Sequence, residues 1–153
     1  MEIINYTTLF LEDKIEQAAR GYPTDGLKVE LKYCPSGTSC RTPASGTYYR
    51  RTAKRPQGRL IRVRLNRENR YPLKLFFKTS SYYTRRNAQG EEIKYQEMKC
   101  ITIHNPEDLM LAIFFHEFSH YLDHIEGRNG NYKQTKADQF ALAGLKKMGV
   151  RTS

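Results

Sequence analysis

Apolar residues recur along this chain with two different periods. From Thr7 to Arg20, Leu9, Phe10, Leu11, Ile15, Ala18 and Ala19 fall at helical spacing, and Glu12 and Asp13 complement the positive helix end. The turn-rich run GYPTDG then stops that helix. In LKVELKY, Leu27, Val29, Leu31 and Tyr33 alternate with Lys28, Glu30 and Lys32, the period of a half-buried strand. CPSGTSCRTPASG is a loop by composition, and TYYRR reads as a short strand after it.

Alternation returns twice more. Ile61, Val63 and Leu65 face one way in RLIRVRLNR, and Leu73, Leu75 and Phe77 do so in YPLKLFFK. The turn residues NREN and RYP between them predict a hairpin. Its polar face would bring Arg62, Arg64, Lys74 and Lys78 together. SSYYTRRNAQGEE reads as a loop or turn, and IKYQEMKCITIH as a final strand ending near His104.

The stretch NPEDLMLAIFFHEFSHYLDHIEG has the grammar of a long helix. Asn105 can cap it, Pro106 suits its first position, Glu107 and Asp108 complement its dipole, and Gly127 can close it. After the loop RNGN, YKQTKADQFALAGLKKMG predicts a second helix with Ala137, Phe140, Ala141 and Leu145 apolar. The expected fold is one α+β domain over residues 1–153, because no repeat or linker divides the chain. It has an N-terminal helix, a mostly antiparallel sheet, and two closing helices.

The long helix also carries chemistry. His116 and His120 are four residues apart, hence about 40° apart around a helix advancing about 100° per residue. Both imidazoles can meet one zinc ion at about 2.0–2.1 Å, while Glu117 stands beside the ion as a base for water. A helix rich in Phe114, Phe115, Phe118, Tyr121 and Leu122 could carry histidines for no purpose. A buried His-Glu-His group without a role would, however, carry a desolvation cost. Asp123, about −20° from His116, can accept a histidine N–H.

At these residues the chain resembles the gluzincin zinc peptidases, in which an H-E-x-x-H helix follows an edge strand and a second helix supplies a glutamate and then an aspartate. The resemblance runs from about Ile93 to Gly149 and includes the Ala-Asp-x-Phe-Ala cadence in KADQFALAGLKK. It implies that the ligating glutamate falls on Gln134, and that Asp138 takes the aspartate position that orients a histidine. A Gln carbonyl is a neutral, weaker donor, so Asp138 is favoured as ligand or orienting group, with Gln134 beside it one turn earlier. His124, about 80° from His116, points away from the metal. Glu126 has the third-ligand spacing of metzincins, but Asp123 stands where they have a turn-forming glycine. The resemblance also implies that MKCITIH is the edge strand beside the cleft, where extended peptides add as a strand. Tyr132, Arg128 and His124 are the nearby candidates for stabilising an oxyanion.

Charge changes the picture in one respect. Lys+Arg 26 against Asp+Glu 16 gives +10, and Arg50 to Arg67 holds eight basic residues and no acid. Such a run is ordinarily solvated surface, yet a one-sided field also attracts phosphate backbones or acidic partners. Phe76, Tyr48 and Tyr49 lie near enough in sequence to stack on bases, and Arg50, Arg51, Lys54 and Arg55 precede the strand. The cysteines, Cys34, Cys40 and Cys100, are odd in number and read as reduced thiols. A bridge or half a metal site at Cys34 and Cys40 is left open. With no apolar run of membrane-spanning length and no basic leader, the expectation is an intracellular (cytoplasmic) protein similar to compact phage-type or SprT-like peptidases. The expected activity is zinc-dependent hydrolysis of a protein or peptide substrate. The alternative is a catalytically weak module that binds nucleic acid or an acidic partner through the basic face.

Overall fold

The computed structural model describes residues 1–35, 41–51, 53, 54, 56, 58–128 and 133–152. The element order is β1 (Glu2–Asn5), α1 (Glu12–Ala19), β2 (Lys28–Tyr33), β3 (Ala44–Tyr49), β4 (Leu60–Leu65), β5 (Leu73–Arg86), β6 (Glu92–Ile103), α2 (Pro106–Ile125) and α3 (Lys133–Lys147). The fold is α+β.

The sheet is mixed rather than mostly antiparallel. Its order is β1-β2-β4-β3, with β1 and β4 both parallel to β2 and β3 antiparallel to β4. β1 is too short to show alternation, and it joins the sheet because α1 carries the chain back so that β2 lies parallel to it. The expected start of α1 at Thr7 is replaced by a turn. Asn5 Oδ1 accepts from the Thr7 N–H and hydroxyl, and Asn5 Nδ2 donates to Leu9 O. That local side-chain bonding competes with helix and delays it to Glu12.

The β4–β5 hairpin does not form, because β2 and β3 occupy both edges of β4. β5 instead pairs with β6 as a separate antiparallel ribbon, from Leu73↔Ile103 to Arg86↔Glu92. The expected loop SSYYTRRNAQGEE thus contains the end of one strand and the turn. Asn87 Oδ1 closes that turn by accepting from the Gln89 and Glu91 N–H groups. The outer half of the ribbon is exposed on both faces, so it shows no alternation. Side-chain contacts support it: across the strands Tyr83 stacks on Tyr95 and Lys94 lies over Tyr82, and along β5 Arg85 lies over Tyr83.

α2 lies against the inner sheet face and is covered on its other side by α3. Val29, Leu31, Ile61, Val63 and Leu65 from the sheet meet Leu109, Met110, Phe114, Phe118 and Tyr121 from the helix. Its caps are as the sequence predicts: Asn105 Oδ1 accepts from the Asp108 N–H at 2.8 Å, and Gly127 takes φ +69°. α3 approaches α2 closely because Gly144 lies on the Phe115 ring, where an added Cβ would come within 2.6 Å. Cys34 is disulfide-bonded, against the expectation of reduced thiols, while Cys100 is a free exposed thiol and Cys40 lies outside the described residues. A six-residue spacing shows no preference for bridge over thiol without coordinates, which is why composition misjudged it. Among the described residues no helix is long and apolar enough to cross a membrane.

Candidate metal centre and its base

His116 and His120 lie in the middle of α2, whose Phe114, Phe115, Phe118 and Tyr121 are buried. Their Nε2 atoms lie 3.3 Å apart. Gln134, in the first turn of α3, brings Oε1 to 2.8 Å from His116 Nε2 and also hydrogen-bonds His120. Four-coordinate zinc with donors at about 2.0–2.1 Å separates those donors by roughly 3.3–3.4 Å. The two imidazoles are therefore already at tetrahedral spacing, and Gln134 is half an ångström inside it.

Asp138 takes the orienting role. Its Oδ1 lies 2.8 Å from His116 Nδ1, on the side of the ring away from the convergence point, and its Oδ2 accepts the Lys78 backbone N–H at 2.7 Å. A histidine that donates Nδ1–H to a carboxylate presents its Nε2 lone pair outward, as metal-binding histidines do. Asp138 thus lies at His116 Nδ1, while Gln134, which the sequence reading ranked below it, lies at Nε2. Among the described residues no three His, Cys, Asp or Glu side chains gather in a way that could hold a metal ion.

The surroundings of the two histidines act on them in opposite directions. Burial, the largest influence on His116, lowers its pKa. The Asp138 hydrogen bond, the Glu117 and Asp138 charges and the Gln134 hydrogen bond together outweigh it and hold the ring above its ordinary value. His120 goes the other way, lowered first by burial and then by the His116 charge. His116 has partners at both ring nitrogens, Asp138 at Nδ1 and Gln134 and His120 at Nε2.

Glu117 is buried, and burial pushes its carboxyl up against the His116 charge and a hydrogen bond from the Tyr48 backbone amide, which pull it down. The net rise makes it a better proton acceptor than an exposed glutamate. β3 reaches it because Gly46 lies directly on α2; a Cβ there would meet Ile113 Cγ2 at 2.5 Å and Glu117 Cγ at 2.7 Å. Gly46→Ala is expected to push β3 away from α2, destabilising the fold by about 1–3 kcal/mol in urea denaturation and displacing the Tyr48 amide from Glu117. Parental stability in the alanine variant would contradict this packing. Gly46 did not stand out in the sequence, although a glycine inside a strand is itself a sign of close backbone approach, and Tyr48 stood out only as a ring to stack on bases.

A cavity of about 250 Å³ opens beside these groups, lined by Gly46, Leu75, Phe77, Ile113, His116 and Glu117. Its walls are thus β3, β5 and α2, with Asp138 of α3 at its margin. The strand MKCITIH, expected beside the cleft, is instead screened from it by β5, its pairing partner. β3 is the sheet-edge strand at the base.

The remaining sequence candidates fall elsewhere. The Asp123 carboxylate accepts from Lys136 Nζ at 2.6 Å, and its influence on His120 is coulombic rather than a hydrogen bond. Lys136, one helix turn along α3, could not be paired with it without knowing how the two helices cross. His124 Nδ1 lies 2.7 Å from the Tyr48 hydroxyl, away from the metal donors. Glu126 pairs with Arg128 beyond the end of α2, which runs to Ile125 without a metzincin turn. Those bonds engage His124 and Arg128 away from an oxyanion, and Tyr132 lies outside the described residues. Arg62 and Arg64 belong to the four-stranded sheet and Lys74 and Lys78 to the ribbon, so the argument that placed all four on one face does not hold. Arg55 lies outside the described residues. No protein family, curated protein or solved structure matches the chain, so the site rests on its own geometry.

Proposed function

We propose that this chain is a zinc-dependent peptidase similar in plan to the gluzincins, with His116, His120 and Gln134 holding the ion and Glu117 as the base. The observation that carries the reading is the convergence of two imidazole Nε2 atoms and one amide oxygen within 2.8–3.3 Å beside a buried glutamate. Zinc bound there would supply Lewis acidity, making water a nucleophile near neutral pH and polarising a carbonyl. Asp138 fixes the His116 tautomer and ring plane, and Lys78 holds Asp138. An extended peptide would lie in the cleft between β3 and β5. Glu117 would take a proton from the attacking water as the carbon–oxygen bond forms. It would then pass that proton to the amine as the carbon–nitrogen bond breaks.

The neutral third donor favours a second reading, a module of the same build with weak turnover, since an amide oxygen holds zinc less firmly than a carboxylate. One experiment separates the two. The purified chain should carry about one zinc, degrade an unfolded protein substrate, lose that activity to a chelator and regain it with zinc. Zinc without hydrolysis supports the binding module, and absence of zinc at saturating metal rejects both.

A further inference from the structure

We infer that the outer face of the four-stranded sheet, turned away from α2, binds the phosphate backbone of single-stranded nucleic acid. The inference does not depend on the metal reading. Because Ile61, Val63 and Leu65 point into the core, their neighbours Arg62 and Arg64 point outward, together with Lys28, Glu30 and Lys32 of β2. The register sets Glu30 beside Arg62 but Lys32 beside Arg64. Like charges directly opposite on adjacent strands destabilise a sheet. Arg64 shows a second fault, for among the described residues its buried Nε has no hydrogen-bond partner. Buried donors are nearly always satisfied, and an orphan calls for a water or ion. One oxyanion between Lys32 and Arg64 would answer both.

The surroundings extend that point into a surface. A cavity of about 550 Å³ on the same face has Tyr6, Lys28, Glu30, Tyr49, Lys54 and Arg62 among its lining residues. Tyr6 is largely exposed, and the Arg62 guanidinium lies 5.2 Å from the centre of the Tyr49 ring. Rings interleaved with cations are what successive bases and phosphates require. The acids on this face are Glu30, which binds Arg62 at 2.9 Å and stands 3.6 Å from Lys32, and the exposed Glu2, 4.0 Å from Lys28. Two acids thus stand against five cations, Lys28, Lys32, Lys54, Arg62 and Arg64, with Glu30 shared between Arg62 and Lys32. A broad sheet face cannot enter a duplex groove, which admits a helix or a two-stranded ribbon, whereas sheet faces do display unpaired bases.

The test is fluorescence anisotropy of the full chain with a labelled mixed-sequence DNA single strand, its duplex, and polyglutamate, from about 50 to 200 mM salt. The single strand should bind more tightly than the other two. Lys32→Gln/Arg64→Gln should weaken binding and lower the log–log salt slope by about 1.4, or about 0.7 for each phosphate contact. Arg85→Gln/Arg86→Gln, the same change of charge on the ribbon, should leave the slope unchanged. Should the first variant fail to fold by circular dichroism, Lys28→Gln/Lys32→Gln replaces it with the same expectation. The inference is overturned by absence of binding, by equal or tighter binding of duplex or polyglutamate, by an unaltered slope in the folded sheet-face variant, or by an equal slope loss in the ribbon variant.

Discussion

Glu117→Gln is expected to retain about one zinc per chain while hydrolysis falls by about 10²–10⁴-fold, the usual contribution of a positioned base. Glutamine matches the shape of glutamate, so contact with Gly46 and the hydrogen bond from the Tyr48 amide can both persist. What is lost is the capacity to take a proton. The side chain is buried, and its carboxyl is raised by that burial, so no exposed carboxylate can substitute at the same place. Matched metal analysis and kcat/KM on an unfolded protein substrate check this. Activity within a few-fold of the parent would remove Glu117 from the reaction, and loss of metal together with activity would mean that the residue acts on the ion or the fold instead.

The elements most legible in the sequence were those whose signals are local. Asn105, Pro106, Glu107, Asp108 and Gly127 all state the limits of α2 within its own stretch, and the i,i+4 spacing of His116 and His120 follows from helix geometry alone. Alternation found β2 and β4 because one face of each is buried. Pairing was not legible, since it depends on which edges remain open. β5 follows β4 closely in sequence, yet β4 is an interior strand and has no edge to offer. The outer half of β5 was read as a loop because both of its faces meet solvent, and the Tyr83–Tyr95 and Lys94–Tyr82 contacts become visible only across strands. The placement of Gln134 and Asp138 around His116 was the hardest to read. Asp138 and Gln134 are one turn apart on α3, and donor chemistry favoured the carboxylate. The decision lay in how α3 crosses α2, where Gly144 lies on the Phe115 ring and sets the approach.

That crossing leads to an ordered series in metal affinity. His116→Ala and His120→Ala should each abolish stoichiometric zinc, because a two-donor remnant cannot close a tetrahedral site. Gln134→Ala should weaken binding strongly, since it removes the oxygen 2.8 Å from His116 Nε2. Asp138→Ala should cost about 10–100-fold, the usual loss for a partner that orients a ligating histidine, and it also leaves the Lys78 backbone N–H without its acceptor. Gln134→Glu should move the other way, tightening zinc by about tenfold or more, because a full negative charge replaces a neutral dipole next to a divalent ion. Affinity should fall as pH falls in every variant that binds, since a protonated imidazole cannot donate to the ion. His116, whose ring is held above its ordinary pKa, competes for a proton at the higher pH of the two histidines. Competition titration with a chromogenic chelator across pH measures the whole series. If Asp138→Ala lost all zinc while Gln134→Ala and Gln134→Glu both bound like the parent, the carboxylate would be the ligand and the amide a bystander.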